Sequence, residues 1–374
     1  MNLRQLLAEM QQRRASDLHL RVGIKPTLRV DGKLIPVETE PTTEENMTAV
    51  ISQILTAEQQ KRFASRNEMD LALSVAELGR FRVNLYQQRA TTGVALRAVN
   101  SEIPSFEELN LPQKVADLCE LLRGLIIVTG TTGSGKSTTL AAMIERVNSS
   151  RAENILTIED PIEYVYNNKL SIISQREIGA DTKGFSTALK QAFRQDPDVI
   201  LIGEIRDAET MGIALAAADT GHLVLTTLHT LNTVETVSRI ISFFPPHQHQ
   251  QIRLLLAGTL EAIICQRLLP RNDTIGRVPA IEIMTSTGSI RDSIIDPLKT
   301  QSIIELIETG NVQYGMQSFD QSIMKLYRDG VISYKMAMQN ATNPDDFDLR
   351  VKGITSASDG SWQGYAAPSI DDPV

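Results

Sequence analysis

The sequence predicts an α/β protein of two domains, a small mixed one followed by a larger one built on a doubly wound parallel sheet. Three observations carry this. A chain of 374 residues is long for one average domain and ample for two. From Gly124 onward, short apolar runs alternate with helical patterns, the order expected of a parallel sheet with crossover helices. Between the first apolar run and the helix after it lies a glycine-rich loop, Gly130–Ser137.

In the first domain, 1–99, Leu3, Leu6, Leu7 and Met10 recur at helical spacing. Ser16–Arg21 alternates like a strand, and Thr27–Val30 runs up to Asp31-Gly32, a two-residue hairpin signal. Thr42–Leu55 reads as a helix opened by Thr and Glu capping residues, and Leu71–Val75, Arg80–Gln87 and Thr92–Val99 as successive strands. Asn100–Pro112, with two prolines and several acids, reads as a linker. In the larger domain, 113–354, Leu125–Thr129 has the continuous apolarity of a strand covered on both faces. A helix over Ser137–Asn148 follows, then strands at Ile155–Ile158, Val199–Ile202 and Leu223–Leu228. Thr210–Ala218 is a helix capped by Asp207 and ended by Gly221, and another runs from Thr233 to Pro245-Pro246. Gln250–Leu269, Thr300–Glu308 and Phe319–Tyr327 predict a mainly helical end. Residues 355–374, rich in Ser, Gly, Asp and Pro and holding Trp362, predict a disordered tail.

Hydrophobic content of 42% and charged content of 22% are those of a soluble globular protein. A net charge of −8 speaks against nucleic acid as the main partner. Cys119 and Cys265 lie far apart in apolar surroundings and read as buried hydrophobes of a reducing cytosol, with no thiolate zinc site. Met1–Leu7 lacks the apolar run of a signal peptide, and no stretch approaches the ~20 apolar residues that span a bilayer. The expectation is a cytoplasmic protein whose membrane role, if any, comes through a partner.

Gly130-Thr131-Thr132-Gly133-Ser134-Gly135-Lys136-Ser137 fits the phosphate-loop pattern, with a strand before it and a helix after it. Its backbone N–H groups converge on an anion at a helix start, Lys136 neutralises the β- and γ-phosphates, and the Ser137 hydroxyl ligates Mg²⁺. With the adjoining Thr138, these residues form the candidate ATP-binding set. Asp198–Glu204 is an apolar strand ending in an acid, the layout of a Walker B segment. Gly203 stands where a metal-binding aspartate is usual, so Glu204 is expected to act on the metal through water. Glu159-Asp160-Pro161-Ile162-Glu163 follows another strand and so lies toward the ligand crevice. His222 and His229 flank the strand Leu223–Leu228. Their separation of seven puts them on opposite faces of a regular strand, a poor metal pair, and leaves a γ-phosphate sensor or a hydrogen-bonded strand-end histidine equally open. Arg80, Arg82, Arg89 and Arg97 are equal candidates for arginine fingers or for solvated charges.

These motifs together resemble the secretion ATPases, most closely the PilT-like type IV pilus retraction ATPases, from about Ala15 to Ile354. The residues that carry the resemblance are Ala15–Leu20, the phosphate loop, Thr157–Glu163, Gln195–Asp198, Gly203–Asp207, and Thr220–His222 through His229-Thr230. The resemblance implies a PAS-like N-terminal domain and a RecA-like P-loop ATPase domain assembled as a ring of six. It implies Glu163 as the water-activating base, Glu204 as the Walker B glutamate, His222 and His229 as a histidine box near the γ-phosphate, and Arg82 and Arg97 as the small-domain arginines that reach the nucleotide. It further implies a motor peripheral to the inner face of the cytoplasmic membrane, working on a platform protein and through it on pilin. Two departures stand out. Thr131 replaces a common proline, and Ser289–Ile294 keeps only Ile290, Arg291 and Ile294 of a motif linked to retraction, leaving an accessory retraction paralogue open. Extension and type II secretion relatives usually carry a four-cysteine zinc element that this sequence lacks. A nucleic-acid translocase and an ATP-sensing scaffold are the remaining alternatives.

Overall fold

A computed structural model of the chain describes residues 2–30, 32–99 and 102–354. The expected disordered tail, with Trp362, lies outside the described residues. The chain divides into two units, Met1–Glu102 with Ile162–Tyr166, and Ile103–Pro161 with Asn167–Val374. Residues 103–112, most of the expected linker, therefore belong with the second unit.

In the first unit the alternation read from the sequence becomes a six-stranded antiparallel sheet, ordered β3-β2-β1-β6-β5-β4. Its strands are β1 (Asp17–Arg21), β2 (Thr27–Val30), β3 (Lys33–Pro36), β4 (Glu68–Val75), β5 (Gly79–Gln88) and β6 (Thr91–Ala98). Leu18, Leu20, Leu28, Phe81, Val83, Leu85, Val94 and Leu96 point to one face and share a core with Leu7 and Met10 of the helix Leu3–Gln12 and Met47 and Val50 of the helix Glu44–Ile54. The helix Ala57–Arg66 was not read from the sequence. Its signal was there: Thr56 and Gln59 form a reciprocal capping box.

The opposite face of this sheet is polar. Arg82 and Arg97 are direct cross-strand partners on β5 and β6, and Asp17 faces Arg97 from β1. Arg97 Nε donates to Asp17 Oδ1 at 2.8 Å, and the Ser16 hydroxyl donates to Oδ2 at 2.7 Å. Partial burial raises the Asp17 carboxyl, but the Ser16 hydroxyl and the Arg97 guanidinium outweigh it and hold it below its usual range.

The second unit holds a seven-stranded sheet, ordered β13-β12-β7-β11-β10-β8-β9. The strands are β7 (Gly124–Thr129), β8 (Asn154–Glu159), β9 (Ile172–Glu177), β10 (Val199–Ile202), β11 (Leu223–Leu228), β12 (Leu260–Pro270) and β13 (Arg277–Thr285). All neighbours pair in parallel except β12 and β13. Helices Lys136–Ser150, Phe185–Ala192, Ala208–Asp219, Thr233–Ser242 and His249–Thr259 connect the strands, and a helical part from Gly288 to Val351 completes the unit. This is the doubly wound sheet that the alternation predicts.

One element departs from expectation. Gln250–Leu269 is not one helix: the helix ends at Thr259 and the chain passes directly into β12. Leu260–Leu269 is almost continuously apolar because β12 is paired on both edges and covered on both faces, a pattern that periodicity does not separate from a buried helix.

The Asp17 carboxyl, with its folded pKa depressed, contributes stability in full above its unfolded value of about 4 and loses that contribution as pH falls through the folded value. Asp17→Asn should therefore melt below the parent at pH 7, and the difference should shrink below about pH 4, followed by circular dichroism.

Candidate nucleotide site

Parallel pairing brings the carboxyl ends of β7, β8, β10 and β11 to one edge of the sheet, where open α/β sheets bind ligands. The register sets Thr129 beside Leu228, and Ile202 beside both Thr226 and Ile158. The residues that follow Thr129, Leu228, Ile202 and Ile158 are Gly130, His229, Gly203 and Glu159. Adjacent strands lie about 4.8 Å apart, so the phosphate-loop strand and the Walker B strand, with β11 between them, are roughly 10 Å apart.

The loop itself is tightly wound. Gly130 has φ of 141°, and a Cβ there would lie 2.4 Å from the Gln266 carbonyl oxygen and 2.5 Å from Ser134 Oγ. No side chain fits. Ser134 N donates to the Thr131 carbonyl at 3.1 Å, and Gly135, with φ of 93°, precedes the helix Lys136–Ser150 without a side-chain cap. The first N–H groups of that helix are thus left for an anion. Lys136 is buried, and its ammonium donates to the carbonyls of Gly130 at 2.9 Å and Thr131 at 3.0 Å, along the inside of the loop. Thr131, Thr132 and Gly133 are exposed, and Ser137 and Thr138 are half-buried on the first turn.

At the end of β10, Gly203 packs its α-carbon against the chain leaving β8. A Cβ there would meet Glu159 Cα and the Ile158 carbonyl oxygen at 3.3 Å, which accounts for glycine where an aspartate is usual. Glu204, next along, is held from two sides. Arg206 pairs with Oε1, and His229 Nε2 donates to Oε2 at 3.0 Å. The carboxylate only accepts, so Nε2 carries the proton of this contact. Glu159 is buried and accepts from the Thr157 hydroxyl at 2.6 Å and from Gln175 Nε2 at 3.2 Å.

A family model described as type II/IV secretion system protein matches residues 1–331. The chain belongs to this family. It is 41% identical to the type IV pilus retractation ATPase PilT of Pseudomonas aeruginosa, over 93% of this chain and 100% of that protein. It is 40% identical to the type IV pilus ATPase PilU of the same organism, over 100% of this chain and 98% of that one. The crystal structure of the pilus retraction motor PilT with bound ADP superposes with a TM-score of 0.85 at 41% identity, covering 92% of this chain and 98% of that chain.

Against this secretion-family frame the two histidines separate. His229 joins the loop edge. His222 precedes β11, at the opposite edge of the sheet from the phosphate loop of its own chain, a strand length of about 20 Å away. There its Nδ1 lies 2.9 Å from the Ala217 carbonyl, and its ring meets Phe193 edge-on at 5.7 Å. Glu163 is exposed, on the Ile162–Tyr166 stretch that belongs with the first unit, as do Arg82 and Arg97. Within the second unit, then, the loop, Glu204 and His229 share one edge of the sheet.

Sequence reading missed the other wall. A cavity of about 280 Å³ lies beside Ser134, Gly135, Thr138 and Thr139, walled by Leu109, Leu111, Leu268 and Pro279 with Glu108 and Arg277 at hand. Gln266 of β12 also lines it and donates to the Thr139 hydroxyl at 2.8 Å. These residues carry no motif, and several lie in the hairpin whose first strand was read as helix. Gly130→Ala should cost ~1–3 kcal/mol of stability through a strained backbone and weaken a fluorescent ATP analogue at least ~tenfold, read by anisotropy.

Proposed function

We propose that this chain is the ATP-hydrolysing motor of a type IV pilus, working as a homohexamer to drive filament retraction. The observation that carries the reading is the shared edge of the second unit. There the phosphate loop and a paired Glu204–His229 converge in a family member 41% identical to PilT over nearly its whole length.

In this reading the loop N–H groups and Lys136 hold the phosphates, and the base and ribose occupy the cavity beside Thr138, between leucines and Pro279. Mg²⁺ fits the residues present. Ser137, on the first helical turn, offers a hard oxygen donor, and the Glu204 carboxylate stands at the edge of the same sheet. Among the described residues no group of three or more acidic, His or Cys side chains forms a metal cage. When bound, the ion supplies charge neutralisation at the phosphates. Glu163 takes the proton of the attacking water, and Arg82 and Arg97 neutralise the transferring phosphoryl group in the assembled ring. Cross-strand pairing of Arg82 with Arg97 supports assigning them together.

No described helix is long and apolar enough to cross a membrane. In this reading the motor acts at the inner face of the cytoplasmic membrane through a platform protein, and on pilin only indirectly. A second reading is an accessory pilus ATPase. The altered Ser289, Asp292 and Ser293 of the retraction motif favour it.

Glu163→Gln should keep binding of an ATP analogue while phosphate release falls ~10²–10⁴-fold. Deleting the gene should leave excess, non-retracting pili by electron microscopy. Normal pilus numbers with retraction intact would support the accessory role, and loss of pili an extension role.

A further inference from the structure

We infer that Glu282, buried on β13 and far in sequence from His229 and Glu204, is a positioning residue that holds His229 against Glu204. The inference rests on the site reading above and deepens it.

The helix Thr233–Ser242 opens directly after the loop that carries His229. Its N-cap, Asn232, uses its side chain on Glu235 N at 2.8 Å, which leaves the N–H of Thr233 without an intrahelical partner. Glu282 meets that need. Its Oε1 accepts from Thr233 N at 2.8 Å and from the Thr233 hydroxyl at 2.8 Å, with both residues buried. The loop is then tied to the same helix. Leu231 N donates to Glu235 Oε2 at 3.0 Å, and the hydroxyls of Thr230 and Thr236 lie 2.7 Å apart. His229 thus sits on a loop fastened to the first turns of a helix, and Glu282 fastens that helix to the sheet.

The strand register shows what Glu282 is fastened to. Glu282 pairs with Cys265 across β12 and β13, and Cys265 pairs with Thr129 across β12 and β7. Thr129 immediately precedes Gly130. The phosphate loop and the His229 loop therefore share one frame, and Glu282 joins the helix to it through two short hydrogen bonds, beside a longer contact of 3.7 Å between the Thr233 hydroxyl and Cys265 Sγ. Losing this clamp leaves β11 paired with β7 up to Leu228, so the strand stays and only the turn beyond it is released.

Burial pushes the Glu282 carboxyl up, against the Thr233 N–H and hydroxyl and the Cys265 thiol, which lower it. Both Thr233 bonds fall on one oxygen, so an amide oxygen in its place accepts the same pair. A plain buried cap would affect stability alone. A positioning residue affects turnover at unchanged affinity.

The test uses the full chain with ATP and Mg²⁺, measuring phosphate release and binding of a fluorescent ATP analogue. Glu282→Met should lower kcat about tenfold to a hundredfold, the scale of a small misplacement of a catalytic group, with KM and analogue affinity within about twofold. Glu282→Gln should restore kcat to within about threefold of the parent. A Glu282→Met protein with parental kcat, or one whose KM rises in step with the loss, overturns the inference, as does Glu282→Gln being equally impaired. If Glu282→Met does not fold, Thr233→Val removes one of the two bonds and should lower kcat about threefold at unchanged KM. No change there overturns the inference. Glu204→Gln and His229→Ala separate the two levels: turnover surviving both sinks the site reading, whereas loss in both beside a neutral Glu282→Met sinks only the role of Glu282.

Discussion

Strand β7 is hydrogen-bonded along both edges, to β11 on one side and β12 on the other, and is buried on both faces. That double pairing leaves its end no freedom to shift. Thr129 is held between Leu228 and Cys265, and the chain must turn at Gly130 in a space bounded by the Gln266 carbonyl and Ser134. At Gly130 the room a side chain would need is filled by the neighbouring strand. The phosphate loop owes its shape to β12 as much as to its own glycines.

The charges at the edge follow from the same packing. Glu204 emerges where Gly203 lets β10 run close to the chain leaving β8, and two cationic or donor groups meet it, Arg206 and His229. A carboxylate with both oxygens engaged is oriented, and orientation is what a group near a reacting phosphate requires. His229 in turn depends on the start of the next helix, which depends on a buried acid on β13. Each step is a short hydrogen bond between elements that already pack against each other.

The small unit shows the same economy on a sheet face. Ala15–Leu20 looks like a family signature, and in the structure every residue of it but His19 has a physical task. Ala15, Leu18 and Leu20 are buried in the core, Ser16 donates to Asp17, and Asp17 holds Arg97 beside Arg82. Two guanidiniums facing one another repel, and the Asp17 carboxylate alongside offsets part of that repulsion. The arginines so arranged are the pair that the resemblance singles out, although the four arginines are equivalent by composition.

What was legible in the sequence was local. The phosphate loop shows because glycine, lysine and serine needs fall within eight consecutive positions, and β7, β8, β10 and β11 show because strands covered on both faces must be apolar throughout. Caps at Thr43 and Asp207 are equally local. The resemblance supplied the family. Tertiary structure alone decided that Leu260–Pro270 is a strand, since a continuous apolar run satisfies a buried helix and a buried strand alike until a partner strand is in place. It alone set His229 against Glu204, and it alone brought Glu282 to Thr233. Burial and register are properties of neighbours distant in the chain, and a spacing rule within one segment has no access to them.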